Sequence, residues 1–227
     1  WIERRLMYFT GGDYLSPVEA GLNGIEERVL AASDGTQVMA WYAPAAPGQK
    51  TLLYFHGNAG SLASRAERIA FYAAQGIGIF IMTYRGFPGS TGEPSEANNV
   101  ADGLRAYDAL RESGVEAQDI VIYGESIGTG VAAQVAAARA VGGLVLDAPY
   151  TSMVELAALL YPALALPGRF FMRDRYDTRR HIRSVSAPLL IIHGEEDEII
   201  PVEMGRELYA AASEPKAIKT YPGAGHA

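Results

Sequence analysis

The sequence predicts an α/β fold, in which a mostly parallel, twisted sheet carries helices on both faces. Short apolar runs of strand length alternate along the chain with segments of helical period, which is the pattern of repeated β-α-β units. The chain has 227 residues, a length that fits one domain of this class. Its composition, with 49% hydrophobic and 20% charged residues, supports a sizeable core and excludes intrinsic disorder. We therefore expect residues 1–227 to form a single domain.

The expected elements follow this alternation in order. Runs at 26–32 and 37–43 flank Asp34-Gly35, a typical tight-turn pair, and predict an antiparallel hairpin at the start. Later apolar runs predict further strands at 51–55, 77–82, 120–123, 144–146, 188–192 and 217–220. Helical periodicity and turn signals predict helices at 62–74, 97–112, 129–139 and 202–212.

Residues 148–186 interrupt this alternation and are expected to form a small lid or cap insertion between two strands. The segment is apolar through Leu156, Leu159, Leu160, Leu164, Leu166, Phe170, Phe171 and Met172. A lid beside an acyl-binding pocket and two short helices that only cover the sheet edge both fit this composition. Its basic cluster is either a solvated, ion-paired face or a contact for anionic lipid headgroups or carboxylates, and comprises Arg169, Arg173, Arg175, Arg179, Arg180 and Arg183.

Charge and cysteine content exclude several classes of function. The balance of 19 basic and 26 acidic residues gives a net charge of −7, which argues against a nucleic-acid partner. The absence of cysteine excludes disulfides, thiolate nucleophiles and cysteine-ligated metals. An imidazole base must therefore be chosen from four histidines, which are His56, His181, His193 and His226.

A serine nucleophile is indicated by the sequence Gly124-x-Ser126-x-Gly128, which lies between a predicted strand and a predicted helix. A tight strand-to-helix turn presents its serine at the carboxyl edge of the sheet, and glycine on both sides avoids steric clashes. The backbone N–H of Ile127, at the start of the helix, can stabilise a developing oxyanion. Ser126 and Ile127 are the candidate nucleophile and first oxyanion donor.

A second oxyanion donor is expected in the turn that follows the strand at 51–55. The turn reads His56-Gly57-Asn58-Ala59-Gly60, and a glycine-containing turn here can point a backbone N–H at the substrate carbonyl. Asn58 is the candidate, with Ala59 in reserve. His56 is interpreted as a structural residue of the turn.

Two aspartates are candidates for the acid that orients the base. Asp147 and Asp197 both follow predicted strands and both lie between the serine and the last histidine, which is the chain order of this arrangement. We favour Asp197 because Gly194 and Pro201 shape its loop to project a side chain, and Asp147 is the reserve. The neighbouring Glu195, Glu196 and Glu198 are expected to be solvated.

His226 is the candidate general base. It follows the last predicted strand in a Gly-Ala-Gly turn, which can bring the imidazole over the nucleophile. Its Nδ1–H would reach Asp197 while Nε2 takes the Ser126 proton. His181 is expected to be a solvated surface residue and His193 the structural end of its strand.

These motifs together resemble the α/β-hydrolase superfamily, and most closely its Bem46-type branch of small serine hydrolases. The resemblance spans most of the chain and rests on His56–Gly60, Tyr84-Arg85-Gly86, Gly124–Gly128, the Gly194…Asp197…Pro201 loop and Gly225-His226. It implies a Ser-Asp-His triad, no cofactor and no metal, and often a membrane anchor ahead of the domain. Asp147 departs from the branch pattern, in which glutamate is common at that position.

The N-terminal residues leave two interpretations open. Trp1, Arg4, Arg5, Tyr8 and Phe9 form an aromatic and basic mixture that is typical of a membrane interface. They indicate either an upstream anchor or signal segment, which would associate the protein with a membrane surface, or an ordinary arm packed on a soluble cytoplasmic or periplasmic domain. No apolar run in the chain reaches the roughly 20 residues of a spanning helix.

The expected function is hydrolysis of a carboxylic ester or thioester of a small molecule or a lipid-like substrate, by acyl transfer to water. A serine peptidase or amidase on the same fold is the nearest alternative. A non-catalytic binding protein that keeps the fold is the alternative from another class, because a fold does not by itself imply a function.

Overall fold

The protein is represented by a computed structural model that describes residues 2–162 and 171–226. Its strands are β1 (Glu26–Ala31), β2 (Gln37–Ala43), β3 (Thr51–Phe55), β4 (Gly78–Met82), β5 (Ile120–Glu125), β6 (Gly143–Asp147), β7 (Leu189–Gly194) and β8 (Lys216–Tyr221). Its α-helices within those residues are α1 (Ile2–Met7), α2 (Ala66–Ala74), α3 (Glu96–Glu112), α4 (Gly128–Ala138), α5 (Met153–Leu160), α6 (Thr178–Ile182) and α7 (Val202–Ala211).

All eight strands form one sheet in the order β1-β2-β4-β3-β5-β6-β7-β8. The hairpin strand β2 pairs antiparallel with both β1 and β4, and every other pair is parallel. The predicted mostly parallel sheet with an antiparallel start is therefore confirmed. Because parallel strands share a carboxyl edge, the segments that follow β3, β5, β6, β7 and β8 converge there.

Helices cover both faces of this sheet, as predicted. The side chains of β3 show the two faces, because successive residues of a strand point to opposite sides. Leu53 and Phe55 are buried in a large core that also contains Val131 of α4. Tyr54, between them, is buried in a smaller core with Ile69 of α2.

Some strands are longer than the sequence predicts, because pairing with a neighbouring strand extends them. The strand predicted at 120–123 extends to Glu125, because Gly124 and Glu125 pair with Leu146 and Asp147 of β6. A strand of glycine and glutamate has little intrinsic propensity, so this extension comes from the sheet and not from the local sequence.

Two predicted helices begin differently from the prediction. The helix predicted from residue 97 begins at Glu96, where the Ser95 side chain accepts the N–H of Asn98. The helix predicted over 62–74 is divided into a 3-10 turn, Leu62–Arg65, and α2.

The N-terminal segment is an arm packed on the sheet domain, and its helix α1 was not predicted. Tyr8 is buried, and its hydroxyl lies 2.9 Å from that of Tyr176 and 3.3 Å from Asp174 Oδ2. Arg4 Nε donates to the same Asp174 carboxylate at 3.1 Å. Across the described part of the chain, none of the helices combines the length and hydropathy that crossing a bilayer requires.

The interrupting segment contains α5 and α6 in its described part. Leu164, Leu166, Arg169 and Phe170, which contribute to the apolar and basic composition noted above, lie outside the described residues. Arg179 of α6 pairs with Glu155 and, at 3.7 Å, with Glu207, as expected of an ion-paired face.

Candidate active site

Ser126 stands on a strained turn between β5 and α4. Its φ of 52° lies in the left-handed region, which non-glycine residues rarely adopt. The flanking glycines allow this turn to pack. A Cβ at Gly128 would lie 2.1 Å from the Phe55 carbonyl oxygen, and one at Gly124 would lie 2.7 Å from the Gly128 carbonyl oxygen. The glycines therefore let α4 start directly against β3 and β5, which holds the serine at the sheet edge.

His226 joins Ser126 to Asp197 through its two ring nitrogens. Its Nε2 lies 3.0 Å from Ser126 Oγ, and its Nδ1 lies 2.8 Å from Asp197 Oδ2. The loop that carries His226 is docked on the acid loop, because the Glu196 N–H donates to the Ala224 carbonyl at 2.9 Å. The structure thus brings together the three residues that the sequence proposed as nucleophile, acid and base.

Asp197 is oriented by its own loop. Its Oδ1 accepts the backbone N–H groups of Ile199 at 2.9 Å and Ile200 at 2.8 Å, which leaves Oδ2 for His226. The side chain of Asp197 is fully buried. His193 lies beneath this loop, with Nε2 2.8 Å from the Ile200 carbonyl and 3.5 Å from Asp197 Oδ2. Three hydrogen bonds therefore hold the carboxylate, and the His193 ring lies next to it.

Asp147, the reserve acid, belongs to a different hydrogen-bond network. The Tyr123 hydroxyl donates to its Oδ2 at 2.6 Å, and Arg68 Nη1 lies 3.8 Å from the same oxygen. Burial raises the pKa of Asp147 above its usual value. Within the described residues, no hydrogen bond joins Asp147 to His226.

The candidate oxyanion donors border the nucleophile. Asn58, Ala59 and Ile127 line the same cavity as Ser126. In the described part of the chain, no acceptor receives the backbone N–H of Asn58 or Ile127, so both groups are available to a ligand. The Asn58 Oδ1 accepts the Phe9 N–H at 3.2 Å, which ties the side chain to the N-terminal arm.

A cavity of about 630 Å³ opens above Ser126 and His226. Its walls come from α1, α5 and the Asp197 loop and are mainly apolar, with Leu6, Met7, Phe9, Met153, Leu156, Leu160, Phe171, Met172, Ile199 and Ile200. Large apolar side chains remain exposed at its rim, including Phe171 at 79% and Leu6 and Phe9 at 57%. The site thus places a largely apolar cavity beside the hydrogen-bonded Ser126, His226 and Asp197.

Two cavity residues, Arg65 and Glu125, were not predicted from the sequence. Glu125 is the residue before Ser126, and Arg65 Nη2 donates to its Oε1 at 3.1 Å. The available signal was the carboxylate itself, because a glutamate next to a buried strand requires a cationic partner. Nothing in the sequence, however, indicated which arginine would supply it.

The remaining candidate residues have the structural roles expected of them, with one difference. His56 is buried with Nδ1 2.6 Å from the Gly57 carbonyl oxygen, and burial lowers its pKa to about 3, so it is neutral near pH 7. His181 is half-buried on α6, where burial lowers its pKa, and is not the fully solvated residue that was expected. Glu195, Glu196 and Glu198 are exposed, as predicted.

Among the described residues, no group of three or more His, Asp or Glu side chains lies in an arrangement that could hold a metal ion.

Comparison with known proteins assigns the family. Residues 50–181 match the family described as alpha/beta hydrolase fold, and residues 165–227 match the one described as Serine aminopeptidase, S33. The chain belongs to the α/β-hydrolase family. The resemblance to this superfamily is confirmed, and the narrower Bem46-type branch stays a prediction.

Relatives and solved structures extend this result over most of the chain. An uncharacterised Mycobacterium tuberculosis protein, Rv2307c, is 36% identical over 227 residues, covering 99% of this chain and 80% of the relative. Human alpha/beta hydrolase domain-containing protein 17B is 32% identical over 210 residues, covering 90% and 70%.

Solved structures show the same fold at lower identity. The Pyrococcus furiosus esterase Pf2001 has a TM-score of 0.75 at 17% identity, covering 96% of this chain and 88% of that one. An α/β hydrolase from Vibrio vulnificus has a TM-score of 0.75 at 23% identity, covering 90% and 75%. Family membership supports a hydrolase, while the substrate class depends on the site itself.

Proposed function

We propose that this protein is a serine hydrolase that cleaves carboxylic esters or thioesters through an acyl-enzyme intermediate on Ser126. The observation that carries the proposal is the continuous hydrogen-bond chain from Ser126 Oγ through His226 to Asp197, with distances of 3.0 Å and 2.8 Å. A nucleophile in contact with its base, and a base in contact with an orienting carboxylate, is the arrangement that activates serine for acyl transfer.

The chemistry follows from this geometry. Asp197 accepts the Nδ1–H of His226, which leaves the lone pair of Nε2 facing the serine hydroxyl. His226 takes the proton as Ser126 Oγ bonds to the substrate carbonyl carbon, and the carbonyl oxygen becomes an oxyanion. His226 then returns the proton to the leaving alcohol or thiol, whose bond to carbon breaks. Water then attacks the acyl carbon while His226 takes its proton. The bond between Ser126 Oγ and the acyl carbon breaks, His226 returns the proton to Ser126 Oγ, and the acid is released.

The developing oxyanion would be held by the backbone N–H groups of Asn58 and Ile127. Both residues line the cavity at Ser126, Asn58 from the loop after β3 and Ile127 from the turn after β5. Two preorganised amide donors stabilise charge that appears only in the transition state, so they raise the rate of the chemical step.

The cavity favours an acyl substrate over a peptide. Its largely apolar walls on α1 and α5 suit the hydrocarbon chain of an acyl group, and its exposed apolar rim suits a lipid-like molecule that enters from an apolar phase. The match of residues 165–227 to a serine aminopeptidase family keeps peptide or amide cleavage as the second candidate function.

Covalent labelling tests the nucleophile. A fluorophosphonate probe is expected to label the wild-type protein at Ser126, and Ser126→Ala should abolish both labelling and p-nitrophenyl ester hydrolysis. Ser213→Ala, at an exposed serine far along the chain, is the matched control and should behave as wild type. Hydrolysis that persists in Ser126→Ala would contradict the proposal. A wild-type protein that reacts with no serine probe would instead support a non-catalytic binding protein.

A substrate panel separates the two enzymatic candidates. We expect turnover of p-nitrophenyl esters and acyl thioesters, with kcat/KM rising with chain length until the cavity is filled. Cleavage of peptide amides in preference to all esters would favour the peptidase.

A further inference from the structure

The two halves of the proposed oxyanion hole come from segments that are distant in sequence. Asn58 lies in the loop 57–61 after β3, and Ile127 lies in the turn after β5. The strand ladder joins them only as far as the pair Phe55 and Gly124. In the described part of the chain, no backbone hydrogen bond links the loop to the turn beyond that pair. Beyond that pair, backbone packing at Gly128 and side-chain contacts set their separation.

Arg65 spans this gap with one guanidinium group. Its Nη1 donates to the carbonyl oxygens of Ala59 at 2.9 Å and Ser61 at 3.2 Å, which fixes the loop. Its Nη2 donates to Glu125 Oε1 at 3.1 Å, and Glu125 is the residue that precedes Ser126. Both side chains are nearly buried, each with 11% of its surface exposed.

The Glu125 carboxylate is fixed from both sides. Its Oε1 lies so close to Gly57 that a Cβ there would be 2.7 Å away, so the carboxylate also contacts the loop backbone. Its Oε2 accepts from Arg68 Nη1 at 2.8 Å and from the Tyr54 hydroxyl. Burial raises the pKa of Glu125, but Arg65, Tyr54 and Arg68 outweigh it and hold the pKa below its usual value. The group therefore stays ionised at neutral pH.

A contribution to stability alone does not account for this arrangement. A buried ion pair is costly to desolvate and is often no more stabilising than apolar side chains of similar volume. Arg65 and Glu125 nevertheless line the reaction cavity beside Ser126, and each is attached to a different half of the oxyanion hole.

We infer that Arg65 and Glu125 are a positioning pair that sets the distance between the Asn58 and Ile127 amides and so preorganises the oxyanion hole. The inference rests on the proposed acyl-transfer function. This positioning role requires no contact between the pair and the reacting atoms. It acts by keeping the loop 57–61 at a fixed distance from the nucleophile turn, which matters because misplacement by 1 Å can cost about 10²-fold in rate.

Arg65→Lys tests the pair by keeping the charge and removing the forked donor. We expect kcat for a p-nitrophenyl ester to fall about 10²-fold, the cost of losing one oxyanion donor, with KM changed less than about threefold. The affinity for an alkyl boronic acid, whose tetrahedral adduct places an oxygen in the hole, should fall by the same factor as kcat/KM. The pH profile of kcat/KM should keep its inflection, because the contacts of His226 are unaltered.

Arg68→Lys is the matched control. Arg68 holds the same Glu125 carboxylate through the other oxygen, and its side-chain hydrogen bonds among the described residues go to Glu125 and Tyr54 and not to the loop 57–61. We expect a comparable loss of thermal stability in the two variants but a kcat within about threefold of wild type for Arg68→Lys. Glu125→Gln keeps an oxygen acceptor for Arg65 and provides a second, milder variant, which should lose kcat by a smaller factor than Arg65→Lys.

The outcomes separate this inference from the proposed function. Equal kcat losses in Arg65→Lys and Arg68→Lys, or boronic acid affinity unchanged while kcat falls, would overturn the positioning role while labelling of Ser126 still supports the hydrolase. Absence of Ser126 labelling in the wild-type protein would overturn both. If Arg65→Lys does not fold, Glu125→Gln decides, and wild-type kcat and boronic acid affinity in that variant overturn the inference.

Discussion

Asp147 and Asp197 stand close to the ends of neighbouring parallel strands, yet their surroundings differ completely. Asp147 is the last residue of β6, and Asp197 lies in the loop just beyond the end of β7. Both carboxylates are buried. Asp197 receives two backbone amides and the His226 ring, whereas Asp147 receives the Tyr123 hydroxyl and faces Arg68.

The difference shows what makes a carboxylate suitable for orienting a base. Backbone amides hold Oδ1 of Asp197 and leave Oδ2 with a defined direction toward the imidazole. Asp147 is the last residue of β6 and pairs with Glu125 of β5 inside the sheet. Its carboxylate therefore faces Tyr123 and Arg68 instead. Strand order and a shared sheet edge bring both acids near the site, and the loop beyond β7 is what places Asp197 against His226.

Replacing Asp197 by asparagine should have the largest effect on activity of the substitutions that compare the two acids. The amide keeps the shape of the side chain but cannot hold the imidazole tautomer, and we expect kcat to fall about 10⁴-fold. Steady-state hydrolysis of a p-nitrophenyl ester measures this loss, and the thermal midpoint checks that the fold is kept. A loss of less than tenfold would mean that another group orients His226.

His193 should have an intermediate effect, because it acts through Asp197. Its Nε2 lies 2.8 Å from the Ile200 carbonyl oxygen and so braces the loop whose amides orient the carboxylate. We expect His193→Leu to lower kcat about tenfold. The loss is smaller than for Asp197→Asn because the carboxylate is still present and is only slightly displaced.

His193→Gln provides the matched control for that prediction. Its side-chain amide can donate to the same carbonyl, so kcat should recover to within about threefold of wild type. Equal losses in both variants would show that the packing of the imidazole, and not its hydrogen bond, supports Asp197. KM should stay unchanged in both.

The sequence predicted much of this fold, and it did so where period and turn chemistry agree. Strands β2 and β3 have the predicted bounds, and the glycine-flanked Ser126 lies on the turn that its motif indicated. The three residues of the Ser126, His226 and Asp197 chain could be proposed because each follows a strand in the order that this arrangement requires.

The rest of the site depends on contacts between segments that are distant in sequence. Helix α1 forms a wall of the cavity because Tyr8 is held by Tyr176, a partner 168 residues away. Arg65 and Glu125 meet only once β3 and β5 have paired. A pattern within one window cannot indicate which side chains such pairing will join, so these residues were not predicted.

Asp147→Asn should have the smallest effect on activity, and it should not lower stability at pH 8. Because no hydrogen bond joins Asp147 to His226 among the described residues, kcat should stay within about threefold of wild type. Burial raises the folded-state pKa of Asp147, so between the unfolded value near 3.9 and that raised value the native state binds more protons. Wild-type stability therefore falls as pH rises through this window.

Asparagine carries no such ionisation cost, so the stability difference between the two proteins should depend on pH. Asp147→Asn should be at least as stable as wild type at pH 8, and the difference should shrink as pH falls below about 4. Equilibrium unfolding in urea at pH 8 and pH 4 measures this, with kcat recorded on the same samples. A large kcat loss without instability would assign Asp147 a part in the reaction, and equal stability differences at both pH values would show that its carboxylate is not penalised by burial. The expected result leaves Asp197 alone with the orienting role and Asp147 as an acid that the fold tolerates.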